Sequence, residues 1–331
     1  MQQGMLSSVL LSASMLLGTP IASAMEMTSS RVEVLLEDEQ IHQKVAELLQ
    51  YAVEDNIDSL NFAIERLTLS QQEVARYLLL KKIEEQSIIL TPKMALFVER
   101  QTSMVPTYQI LERGDGYEFS VPAFNYPSIA NRLIKRWKQD QSTLDFVLKA
   151  EREELKLKEW LSGSEYQVQT RETLLIRELD SLSPNAINAL TSQLTQEAVT
   201  SWLPSSAVMV RLAQVSEDSQ VYKLLWLMRA DFNSQKELSR LGSIADDFSI
   251  EQLKIATQNP RLKEKALQAL ASIKPLNNDI REFLISKMAI KEDAEIVANE
   301  LARQGYQSWL EELVTSNKKV RSSAITHALS L

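Results

Sequence analysis

The feature that most constrains this chain is a passage near its end that almost repeats itself. Thr257, Asn259, Leu262, Lys263, Ala266 and Leu267 return 58 residues later as Thr315, Asn317, Val320, Arg321, Ala324 and Ile325. The retained positions are a polar cap, an aliphatic residue, a base and an alanine-aliphatic pair on one helical face. A pattern reused at a fixed offset is the signature of stacked helical units, none of which can bury its apolar face alone. The offset divides into two helix pairs of about 29 residues, within the period range of helical arrays.

The surrounding sequence agrees. Six short amphipathic helices are expected over 250–256, 260–273, 280–288, 292–303, 307–314 and 320–329. In the fourth, Ala294, Val297, Ala298 and Leu301 form an i, i+3, i+4, i+7 stripe. Asn259 and Gly305 fall at boundaries. Only 7 glycines occur in 331 residues, against an ordinary usage of roughly 7%. Few glycines means few turns with positive φ, which argues against an all-β fold.

Upstream the helical period also dominates. Val45, Leu48, Leu49 and Ala52 mark one stripe, and Leu60, Ala63, Ile64 and Leu67 another. Ser70 to Glu73 reads as a capping box, and Thr91-Pro92 as a helix start. Glu37, Asp38 and Glu39 read as a solvated face. Two β-prone runs around Gly114-Asp115-Gly116 then predict a hairpin near 108–121, closed by Pro122 and Pro127. Arg113-Gly114-Asp115 spells an adhesion tripeptide, but turn chemistry already accounts for it. Beyond Pro127 a long helix is expected over 144–161, stopping at Gly163, and another over 167–182. Ser183-Pro184 opens the next. Residues 220–228, with Val221, Leu224, Leu225 and Leu227, read as a buried core helix.

The first 24 residues carry no charged side chain and end in Ala22-Ser23-Ala24. This predicts a secretory signal with an A-x-A cleavage site and a mature chain from near Met25. The apolar run is shorter than the roughly 20 residues a spanning helix needs, so no stable membrane insertion is expected after cleavage; an uncleaved anchor or secretion is the alternative. The absence of cysteine excludes disulfides and thiolate metal sites and suits a bacterial periplasm. A net charge of −8 without a basic stripe argues against nucleic acid.

Leu262, Lys263, Ala266, Leu267 and Leu270, with Val320, Arg321, Ala324, Ile325 and Leu329, resemble the aliphatic-basic-x-x-Ala-aliphatic pattern of short HEAT-like repeats. The resemblance covers about residues 249–331 and extends in degraded form to 183. It implies a helical solenoid that presents a binding surface.

No residue is singled out as catalytic, cofactor-binding or metal-ligating. Two histidines, His42 and His327, lack metal-ligand spacing, and no nucleophile elbow or phosphate loop occurs. His42 is expected on a solvated face and His327 packed or at a rim. Glu165 after Ser162-Gly163-Ser164 reads as a helix restart, and the motif of lytic transglycosylases is missing. Of the tryptophans, Trp226 is expected in the core, Trp137 and Trp160 partly exposed; Trp202 and Trp309 complete the set.

The expectation is therefore an all-α, HEAT-like α-solenoid with one short β-hairpin. Its segments are a signal at 1–24, helical regions at 25–104 and 127–182, the hairpin insertion at 105–126, and repeats at 183–331. The expected function is an exported, periplasmic, non-catalytic binding or scaffold protein with an unidentified protein partner and no cofactor. Self-association through the C-terminal repeat is a further expectation. The enzyme alternative is a helical glycan lyase or hydrolase acting on the cell wall.

Overall fold

The computed structural model describes residues 25–114, 116–196 and 202–330. The expected signal peptide and Asp115 of the adhesion tripeptide lie outside the described residues. The fold is all-α and helical-repeat, with one small sheet. It divides into two compact units, one up to Gln141 and one from Ser142 onward.

The first unit opens with strand β1 (Met25–Glu26) and helices α1 (Ser29–Glu37), α2 (Glu39–Val53), α3 (Ile57–Glu65), α4 (Leu69–Glu85) and α5 (Pro92–Thr102). The stripes read from the sequence are its core: Val45, Leu48, Leu60 and Ile64 are all but inaccessible, as are Leu79, Leu80 and Val98. Caps set the corners. Asp38 accepts from the backbone N–H of Gln40 at 2.8 Å and starts α2, so the acidic patch is a helix corner as well as a wet face. Thr91 accepts from Met94 N at 3.1 Å, with Pro92 in the first turn of α5.

The capping box is shifted. Gln71 Oε1 accepts from Thr68 N and Thr68 Oγ1, at 3.3 and 3.0 Å, and α4 begins at Leu69 rather than after Ser70. Glu73 is buried and serves the sheet instead, accepting from the backbone N–H of Thr107 at 2.5 Å and Tyr108 at 3.3 Å.

The hairpin forms as β2 (Tyr108–Gly114) and β3 (Tyr117–Pro122), antiparallel, in register from Gln109↔Pro122 to Gly114↔Tyr117. It is not a lone hairpin. Residues Met25 and Glu26 pair in parallel with Tyr108 and Gln109, making a three-stranded sheet in the order β1-β2-β3. Two residues held only by backbone hydrogen bonds leave no alternation for a sequence reading to detect.

Helix α6 (Tyr126–Glu151) contains the division between the units, so the helical segment expected over 127–182 is shared between them. The long helix expected over 144–161 is broken. α6 ends at Glu151, Glu153 takes φ 59°, and a short α7 (Leu157–Trp160) follows. A non-glycine residue in the left-handed region gives no composition signal for a stop. Gly163, at φ +121°, precedes α8 (Glu165–Glu178), which a one-turn 3-10 segment extends.

The second unit continues with α9 (Pro184–Thr195), α10 (Ser206–Ser216), α11 (Ser219–Leu227), α12 (Phe232–Ile244) and α13 (Asp247–Ala256). It ends with α14 (Lys263–Ser272), α15 (Asn278–Met288), α16 (Lys291–Arg303), α17 (Gln307–Ser316) and α18 (Ser322–Ser330). The six expected C-terminal helices are all present. Helices α10, α12, α14, α16 and α18 pack side by side in one row, and α9, α11 and α13 in a second. One continuous core runs from Phe146 to Ala328. Tyr222, Leu225 and Trp226 of α11 are buried as expected, whereas Leu227 is 75% exposed, one position off the stripe.

The sequence repeat has a structural cause. Leu262, Ala266 and Leu267 are fully buried, and their counterparts Val320, Ala324 and Ile325 are buried too. Asn259 donates from Nδ2 to the carbonyl oxygens of Trp226 at 2.8 Å and Met228 at 3.3 Å, satisfying the end of α11. Its Oδ1 accepts from Arg261 N at 2.9 Å, as Asn317 Oδ1 accepts from Lys319 N at 3.0 Å. The base ties neighbouring helix pairs together. Lys263 pairs with Asp293 of α16 at 2.7 Å, and Arg321 donates from its side-chain Nε to the Ala289 carbonyl oxygen at 3.4 Å.

Candidate functional site

The residues weighed for chemistry resolve into structural roles. His42 is half-buried rather than solvated, with Nε2 2.7 Å from the Leu36 carbonyl oxygen across the α1–α2 corner. His327 is exposed on α18. Glu165 is an exposed first-turn residue of α8, behind Ser164, which shares a capping box with Gln167. Trp226 is core; Trp137 and Trp160 are half-buried, Trp160 lying 5.0 Å from the Phe146 ring. Arg281 sits over Trp309 at 5.4 Å. Among the described residues, no three acidic, histidine or cysteine side chains cluster closely enough to hold a metal ion.

What the fold does assemble is a trough along the row of even-numbered helices. A depression of about 430 Å³ crosses three of them. Ser239, Gly242 and Ser243 line it from α12, Lys265, Gln268, Ala269 and Ser272 from α14, and Glu300, Arg303 and Gln304 from α16. A second depression, about 550 Å³, lies between α16 and α18, with Asn299, Ala302, Arg303, Gln307, Ala328 and Leu329 around it. Arg303 borders both, so the two lie end to end along the row.

Stacking creates the trough. Each of α12, α14, α16 and α18 turns one small residue to the lining: Gly242, Ala269, Ala302 and Ala328. At Gly242 the approach is close: a Cβ there would sit 3.2 Å from the Ala269 Cβ. The walls are hydroxyls and amides. Ser243 and Ser272 donate to their own helix backbones, at 3.0 and 2.8 Å, which leaves oxygen lone pairs facing the trough. Lys265 is exposed and makes no ion pair among the described residues. Arg303 donates from Nη2 to Glu300, which is almost wholly buried and also accepts from Gln304 Nε2 at 2.7 Å. The hydrogen bond to Glu300 raises the Arg303 pKa further, so the guanidinium stays charged. Its other donors remain available.

A buried charge cluster braces the start of the row. Glu237, with no exposed side-chain surface, accepts from Tyr222 Oη at 2.7 Å, Gln214 Nε2 at 2.6 Å, and Arg240 Nε and Nη2 at 2.9 and 2.7 Å. Burial, then the hydrogen bond to Glu237, pushes the Tyr222 hydroxyl far up, and the same carboxylate raises Arg240. All its acceptor sites are engaged, so Glu237 joins α10, α11 and α12 instead of facing a reactant.

No family model matches the chain, and no curated protein and no solved structure matches it. The geometry therefore stands by itself. It offers an elongated, polar, cation-bearing surface suited to holding a chain of hydrogen-bonding groups, and none of its side chains pairs a nucleophile with a base. Sequence reasoning located the helices but not these lining residues. The available signal was a small residue recurring on alternate helices, with Ser243 beside Gly242 and Gln268 beside Ala269.

Proposed function

We propose that this chain is an exported, non-catalytic binding or scaffold protein that holds a protein partner on its helical-repeat surface, in the bacterial envelope. The observation that carries this reading is the trough shared by α12, α14, α16 and α18. Repeat arrays recognise partners through such surfaces because each stacked unit contributes one strip of a continuous face. The burial of the repeated Ala-aliphatic pairs supports the resemblance to HEAT-like repeats. The uncharged N-terminal segment ending in Ala22-Ser23-Ala24, together with the lack of cysteine, supports export to the periplasm.

The test is in-cell crosslinking from a photoreactive residue placed at Gln268, followed by mass spectrometry. One reproducible envelope protein, lost on Lys265→Glu, is the expected result. Absence of any protein crosslink, with retention of the chain on purified cell wall, would overturn the reading in favour of a glycan-acting protein.

A further inference from the structure

We infer that the occupant of the trough is an extended, acidic polypeptide segment rather than the surface of a folded domain. The inference rests on the reading of the trough as the binding surface and specifies what it binds.

Helices packed side by side lie about 8–10 Å apart, so a row of four covers roughly 24–30 Å. An extended chain rises about 3.3 Å per residue, so about eight residues match that length. The small side chains of Gly242, Ala269 and Ala302 let a backbone approach the helices closely.

The lining matches an extended backbone in chemistry as well. A peptide without secondary structure carries one N–H and one C=O per residue that need partners when water is displaced. Ser243 and Ser272 present acceptor oxygens, and Asn299 and Gln268 carry amides that both donate and accept. These groups recur from helix to helix and read no particular side chain. A folded domain, whose backbone groups are largely paired already, would have mainly side chains with which to answer them.

Charge fixes the sign. Lys265 and Arg303 are the cations of the lining and Glu300 its one carboxylate, already engaged by Arg303 and Gln304. The lining is thus locally positive on a chain of net charge −8. An Asp or Glu side chain of the occupant would meet the free ammonium of Lys265 or the unused fork of the Arg303 guanidinium. A basic segment would meet two like charges, which interfaces select against.

The experiment is selection of a random eight-residue display library on the full chain, followed by affinity measurement with the enriched peptides. Enrichment of Asp or Glu is expected, with affinity falling roughly tenfold or more in Lys265→Glu. Lys265 is the cleaner variant, because reversing Arg303 would also leave Glu300 buried without its partner. Ala302→Trp, which fills the trough without changing charge, is expected to abolish binding in a chain whose circular dichroism still shows the parent's helix content, even if Tm falls. A pool without acidic enrichment, or peptides indifferent to Lys265→Glu, would overturn the inference. If the Gln268 crosslink to an envelope protein persists beside such a pool, the binding reading stands and only the acidic extended segment falls. If both fail, the trough is not the binding surface.

Discussion

Asp231 shows how single side chains set this fold. It caps α12, with Oδ1 accepting from Ser234 N at 3.0 Å, and it also accepts from the Ser206 hydroxyl of α10. Burial works to raise its pKa, but the hydrogen bonds from Ser206 and Ser234 outweigh it and hold the carboxyl below its ordinary value. A depressed folded pKa contributes stability that is fully present above the unfolded value, about 3.9, and is lost as pH falls through the folded one. Asp231→Ala should therefore cost about 1 kcal/mol at neutral pH. The gap to the parent chain should close as pH drops below about 4. Urea midpoints measured across that range decide it; a gap that stays constant into strong acid would assign the effect to the cap's geometry and not its charge.

At the scale of elements, α12 and α14 come close together at Gly242, where an added Cβ would sit 3.2 Å from the Ala269 Cβ. Glycine inside a helix is unfavourable by roughly 0.5–1 kcal/mol relative to alanine, so Gly242→Ala should be near neutral: the propensity gain is offset by moving Ala269 aside. Gly242→Leu should destabilise by about 1–3 kcal/mol and weaken peptide binding, since it wedges the two helices apart at the trough floor. Denaturation and binding measured on both variants separate these outcomes. The helices themselves are legible because burial follows the 3.6-residue period: Ala294, Val297, Ala298 and Leu301 fall at that spacing and are all inaccessible. Caps were legible where proline followed, at Thr91 and Ser183, and slipped where two hydroxyl residues competed, at Thr68 and Ser70. The trough was not legible. Its lining takes one or a few residues from each of several helices, and only the stacking geometry decides that Gly242, Ala269 and Ala302 share a face. The role of Glu73 was hidden for the same reason, because its partners at Thr107 and Tyr108 are 34 and 35 positions away.

On the scale of the whole molecule, the two units have separate hydrophobic cores, one including Leu48 and the other Leu253. Both side chains are fully buried, and truncating either to alanine should cost about 2–5 kcal/mol. Leu48→Ala should speed amide exchange through α1 to α5 and leave α10 to α18 as they were; Leu253→Ala should do the reverse. A rise across the whole chain with either substitution would mean that the units open as one. Within the second unit, each helix of the row packs chiefly on its immediate neighbours. Mechanically such a stack is a spring. A load applied along it is shared by every interface in turn, so it bends by many small slips and stretches by yielding one pair at a time, with no single joint at which it must break.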